Sequence, residues 1–168
     1  MDGGTLRHIT DPNVLVAWAG DTFNNIPISN DYFSTRTIGS NIVGTKVTDA
    51  SPGAIEYQVV AGQKLAQSLA VAQLYPGTAQ TVSSATINRL ITSSPASHFI
   101  RHSGSPTVYM VDKSLKHVVG SPELLRAWGV GSSPVVNIVT QGNLNLLANG
   151  SGLNTYEADV GGQLYLMD

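Results

Sequence analysis

Apolar and polar positions recur along this chain three times in one order. In the best-formed copy, Thr107 to Asp112 (T-V-Y-M-V-D) is a run of β-branched and aromatic residues that predicts a buried strand. Lys113-Ser114 predicts a tight connection, and Leu115 to Val119 a returning strand with Lys116 and His117 on opposite faces. Ser121-Pro122-Glu123 is a helix start, because serine caps the first free N–H groups and proline has none to lose. Leu124, Leu125 and Trp128 then fall at helical spacing, and Gly129 ends the helix. After a loop, Val136 to Val139 is a short apolar run, and Thr140 caps a second brief helix that turns Leu144 and Leu147 inward.

The same order appears at the N-terminus as T-L-R-H-I-T-D-P-N-V-L-V-A-W, Thr5 to Trp18, and in worn form as Q-K-L-A-Q-S-L-A-V-A-Q-L-Y, Gln63 to Tyr75. Val82-Ser83, Ile87 and Leu90 match Val139-Thr140, Leu144 and Leu147, while Ile28-Ser29 and Phe33 hold those places in the first copy. A period of roughly 50–57 residues predicts a repeat architecture. The boundaries are residues 2–43 for repeat 1, 44–96 for repeat 2 and 97–154 for repeat 3, within a single domain of 168 residues.

Repeat 1 lacks its opening strand pair, and the C-terminus has a surplus one. Leu164 to Asp168 matches Val108 to Asp112, so residues 155–168 are expected to complete repeat 1 by pairing beside Gly4 to His8. The predicted fold is mainly β with short helices: a single closed, pseudo-threefold ring that leaves no sheet edge exposed. A β-trefoil is the alternative, since it too has three repeats of comparable length but little helix.

Composition narrows the function classes. Charged residues make up 12% of the chain and the net charge is −2, with nine Lys and Arg and no basic block. That argues against nucleic acid and against a polybasic membrane anchor. No stretch approaches the roughly 20 apolar residues of a membrane span, so membrane insertion is not expected. Cysteine is absent, which removes a disulfide framework, a thiolate nucleophile and a cysteine zinc site. The low charge and polar, uncharged surface tilt the expected setting toward secretion or the cell surface.

Catalytic and metal chemistry find little to use. His98 and His102 have the spacing of two metal ligands on a helix, but they flank a strand-like segment with no acidic or cysteine partner nearby in sequence, so no metal or cofactor is expected. There is no G-x-S-x-G elbow, and no Ser, His and Asp set breaks the repeat symmetry as a single reacting centre would. The chain is therefore expected not to be an enzyme.

What recurs is the better guide to binding. Trp18, Tyr75 and Trp128 end the first helix of each repeat, where an aromatic either plugs the core or offers a face on which a sugar ring stacks. Arg7, Lys64 and Lys116 recur, with His8 and His117 beside two of them and Asp112 and Asp168 ending the preceding strand. Such a group either forms an exposed cross-strand ion pair or hydrogen-bonds vicinal hydroxyls, and repetition around one axis favours multivalent binding. Two competent sites and a poorer one at Lys64 are expected.

The pattern V-Y-x-V-D, a basic residue with His, then S-P-x-L-L-x-x-W-G resembles tandem repeats of about 50 residues in secreted actinobacterial proteins, often beside cell-wall hydrolases. The resemblance covers nearly the whole chain, is strongest in Thr107 to Gly129 and Gly4 to Trp18, and is weaker in repeat 2, which lacks the histidine and tryptophan. It implies a lectin-like, carbohydrate-binding module that targets a fused or associated enzyme or toxin to a cell-surface or cell-wall glycan. A protein-interaction or structural docking module is the second reading.

Overall fold

The computed structural model describes residues 5–24, 27, 29–129, 133–155, 157–160 and 163–166. They form a mixed α/β fold with two five-stranded sheets, a separate two-stranded hairpin and short helices. Repeat 2 supplies β1 (Lys46–Thr48), β2 (Tyr57–Val60), β3 (Gln63–Ala66), β4 (Gln80–Thr81) and β5 (Ile91–Thr92), in the order β4-β1-β2-β3-β5. Repeat 3 supplies β6 (Phe99–His102), β7 (Val108–Asp112), β8 (Leu115–Val118), β9 (Val136–Val139) and β10 (Ala148–Asn149), in the order β10-β8-β7-β6-β9. Read from the other end, the second order is the first one again. In each sheet a three-stranded antiparallel meander is flanked by two parallel edge strands.

Repeat 1 shows part of the same plan. Leu6 bridges Ile38 in parallel, as β3 pairs β5 and β8 pairs β10. The C-terminal strands β11 (Glu157–Val160) and β12 (Gln163–Leu166) pair antiparallel, with Glu157 opposite Leu166, in a two-stranded sheet. Gly4, Met167 and Asp168, on which the expected closure depends, lie outside the described residues. Sheets with brief helices are as expected, but the fold is mixed α/β rather than mainly β, since each five-stranded sheet carries parallel edges beside helices. Among the described residues no sheet closes into a barrel, so a trefoil barrel is not seen.

Among the described residues six helices follow the repeat, two to each copy. The first of each pair is α1 (Pro12–Ala19), α3 (Leu69–Ala72) or α5 (Pro122–Trp128), capped by the side chains of Asp11, Ser68 and Ser121. The second is α2 (Asn30–Ser34), α4 (Ser84–Arg89) or α6 (Gln141–Asn145), capped by Ser29, Ser83 and Thr140. Each cap oxygen accepts a backbone N–H that would otherwise have no partner, which stabilises such a helix end by about 1 kcal/mol. Helices this short do not hold in water alone, so packing must hold them.

That packing runs from one repeat to the next. One buried cluster contains Val14 of α1 with Val47, Val59, Val82 and Ile87 of repeat 2, and Trp18 packs against it. The other contains Tyr75 of repeat 2 with Ile100, Val111, Val139 and Leu144 of repeat 3, and Val71 of α3 packs against it. The positions correspond, so α1 and α3 are each covered by the sheet of the following repeat. The hairpin turns dock in the same way: Ala61 N donates to Ala17 O, and Ser114 N donates to Leu74 O, both at 2.7 Å. Ala61, Lys113 and Ser114 hold positive φ to make those tight turns.

Repeat 1 also meets repeat 3. Helix α1 packs on α6, where Gly142 leaves no room for a side chain: a Cβ there would meet the Asn13 carbonyl oxygen and come within 2.7 Å of Ala17 N. Asn145 Nδ2 donates to Asn13 Oδ1 at 3.0 Å beside it.

Candidate binding cleft

The repeat-related side chains expected to form ligand sites are mostly engaged within the fold. Trp18 Nε1 donates to Gly44 O at 3.0 Å, Tyr75 OH to Ser97 O at 2.7 Å, and Trp128 Nε1 to Thr155 O at 3.0 Å. Gly44, Ser97 and Thr155 are the opening residues of the next unit, so each aromatic fastens its own repeat to its successor. Tyr75 is a core residue, 8% exposed, and this removes it as a stacking platform. Trp18 and Trp128 are half-buried.

The basic residues are similarly occupied. Lys64 Nζ donates to Ile87 O at 3.0 Å, and Lys116 Nζ to Leu144 O and Leu147 O at 2.8 and 2.9 Å. Ile87 O also accepts Leu90 N–H and Leu144 O also accepts Leu147 N–H, so the lysines add charged donors to carbonyls at or just past the ends of α4 and α6. Burial pushes the Lys116 amine below its usual range. Arg7 Nη1 donates to the Ser40 carbonyl and hydroxyl at 3.1 and 2.6 Å.

Register separates the remaining cluster. Asp112 lies opposite Leu115, and Val111 opposite Lys116, so Asp112 and Lys116 project from opposite faces of the sheet. The expected Asp112–Lys116 pair is therefore corrected: the pleat, with its two-residue period, keeps carboxylate and amine apart. His117 shares a face with Asp112, but its Nδ1 is 2.7 Å from Ser151 O. His8 is exposed, and Asp168 lies outside the described residues. Replacing Lys116 with methionine is expected to lower stability by about 1.5–3 kcal/mol, because two carbonyls lose a charged donor. Chemical denaturation measures that loss, and a saccharide titration of the folded variant is expected to be unchanged.

A different place offers concave, polar space. A cleft of about 500 Å³ opens between repeats 2 and 3, within the range of roughly 300–1,000 Å³ typical of small-ligand sites. Its polar lining includes Gln63, Ser93, Ser94 and Ser103, and its apolar lining includes Val60, Leu65, Val136 and Ile138. Gln63 and Ser94 are exposed, as is Ile138 at 52%, so these groups are open to a ligand. Asn137 also lines the cleft, but it is buried and joins Ser97 N to the Pro95 carbonyl, which holds the wall rather than the ligand.

Asp21, from repeat 1, reaches the same cleft. Its Oδ1 accepts Gln141 N at 2.8 Å and its Oδ2 lies 3.0 Å from His102 Nε2. His102 Nδ1 accepts Gly104 N–H at 3.1 Å, which fixes the proton on Nε2 and directs it to Asp21. Both ring nitrogens are engaged, so the Asp–His pair with Ser103 next in sequence has no free nitrogen to act as a base. His98, the other half of the proposed metal spacing, packs against the Phe99 ring with centroids 4.2 Å apart. Desolvation pushes its pKa down, opposed by a hydrogen bond to the Trp128 backbone. Among the described residues, no three His, Cys, Asp or Glu side chains gather to hold a metal.

Repetition did not point to this cleft, because it forms only where the repeats pack together. Asp21 carried one available signal: a carboxylate directly after a helix-ending glycine in a chain with few charges. Compared with known proteins, the chain matches no family model, no curated protein and no solved structure.

Proposed function

We propose that this chain is a non-enzymatic, lectin-like module that binds a cell-surface or cell-wall saccharide in the cleft between repeats 2 and 3. The observation that carries the reading is the lining: hydroxyls and an amide beside exposed aliphatic groups, with a single ionisable side chain among the described residues. Sugars present hydroxyl edges and apolar C–H faces, and such a wall answers both with hydrogen bonds and with packing. Engagement of both His102 nitrogens supports a binding rather than a catalytic role. On this reading the module is secreted and holds an attached enzyme or toxin at a glycan-rich surface.

The fold proposal that accompanies it is a closed ring of three units, with β11–β12 as the opening strands of repeat 1. Its support is the tether from Trp128 to Thr155, which repeats those from Trp18 to Gly44 and from Tyr75 to Ser97. The parallel bridge of Leu6 with Ile38 supplies the other portion of the same unit.

A docking module is favoured by a separate observation. Leu6, Ile9, Leu15, Phe33 and Ile38, with Arg7 and His8, line a mainly apolar cleft of about 390 Å³. Phe33 there is 49% exposed, whereas its repeat equivalents Ile87 and Leu144 are each 4% exposed. A glycan array followed by titration of its hits separates the readings. Saccharide binding predicts hits whose affinity falls at least about tenfold in Ser94→Trp, which fills the cleft. It also predicts little change in the His8→Ala, His117→Ala double variant. Docking predicts no hits and a protein partner lost on Phe33→Asp.

A further inference from the structure

We infer that the saccharide taken by this cleft is uncharged and that Asp21 sets this selectivity; the inference rests on the saccharide reading above. Uronates, sialates and phosphorylated sugars are held by Arg or Lys, or by free backbone N–H groups. Among the described residues, neither Arg nor Lys lines the cleft, and the one ionisable group there is the carboxylate of Asp21.

The nearby backbone donor is also taken. Gln141 N, at the start of α6, already donates to Asp21 Oδ1 at 2.8 Å. The histidine closest to the carboxylate gives its Nε2 proton to Asp21 Oδ2 at 3.0 Å and accepts Gly104 N–H at Nδ1. The groups that could have welcomed an anion are therefore turned toward the protein's own carboxylate, which presents negative charge to the cleft. An uncharged sugar meets no such repulsion and still finds Gln63, Ser93 and Ser94 for its hydroxyls.

The test uses matched pairs of sugars that differ by one carboxylate: galactose with galacturonate, and glucose with glucuronate, as methyl glycosides or as oligomers. Calorimetric titration of the intact protein is expected to favour the neutral member by at least about tenfold. Asp21→Asn is expected to narrow that preference to within about threefold. Because Asp21 also joins repeats 1 and 3, a second variant guards against misfolding. Ser94→Arg, at an exposed position, is expected to raise affinity for the uronate at least about fivefold. Tighter uronate binding by the unaltered protein would overturn the charge inference and leave saccharide binding standing. Failure of every saccharide, neutral or charged, would remove the saccharide reading and this inference with it. An unchanged preference in both folded variants would overturn the role of Asp21.

Discussion

Tyr75→Ala is expected to lower the free energy of unfolding by about 3–5 kcal/mol, the cost of removing a large aromatic from a packed core. Tyr75 lies in the cluster that joins repeat 2 to repeat 3, against Val60, Leu65, Ile100 and Val111. Truncation leaves a cavity bordered by both repeats and frees the Ser97 carbonyl. Tyr75→Phe keeps the packing and loses only the hydrogen bond, for an expected cost of about 1–1.5 kcal/mol. Chemical denaturation at neutral pH measures both.

The same residue gives the fold an alkaline limit. Burial pushes the Tyr75 phenol well above its ordinary value of 10.0. The folded state thus holds a proton that the unfolded chain begins to release near that value. The resulting stability is fully present below pH 10.0 and is lost as pH rises above it. Denaturation curves collected at rising alkaline pH are expected to show this decline in the parent protein. In Tyr75→Phe the part due to this group is expected to vanish.

Gly142→Ala is expected to cost about 1–3 kcal/mol, which is the usual range for forcing extra volume into a packed contact. An added Cβ would collide with the backbone of α1 at Asn13 and Ala17, and backbone cannot swing aside as a flexible side chain can. Asn145–Asn13 and Gln141–Asp21 are the hydrogen bonds nearest to the displaced contact. Gly44→Ala is the control: a Cβ at Gly44 has nothing within 4 Å, and its stability is expected to change little. Thermal unfolding of the two variants side by side gives the comparison. Equal effects would mean that the α1–α6 contact does not hold repeat 1 against repeat 3.

Much of the repeat plan can be read from residue type. Proline after Asp11 and Ser121 marks helix starts, and cap-plus-four apolar residues mark the second helices; the side chains of Asp11, Ser121, Ser83 and Thr140 cap as these patterns require. Three of the four parallel edge strands in the two described five-stranded sheets were not legible. Gln80–Thr81, Ile91–Thr92 and Ala148–Asn149 are each two residues long, too short to show the alternation by which a strand is recognised.

The polar residues were harder still. Lys64 and Lys116 look like surface cations in sequence, yet their stems lie along the sheet and their amines reach helix-end carbonyls. Trp18 and Trp128 suggest ligand platforms, but each indole N–H is given to the next unit's backbone. A search for recurring chemistry finds the groups that hold the repeats together. The cleft depends on Asp21, Gln63 and Ser94, which come together only after the repeats pack.

Saccharide binding in this cleft can be read residue by residue from amide chemical shifts. With a saccharide from the array added to isotope-labelled protein, the largest shifts are expected at Gln63, Ser93, Ser94 and Ile138, with little movement at His8 and His117. Shifts centred on His8, His117 and Trp128, with the cleft amides unmoved, would contradict it.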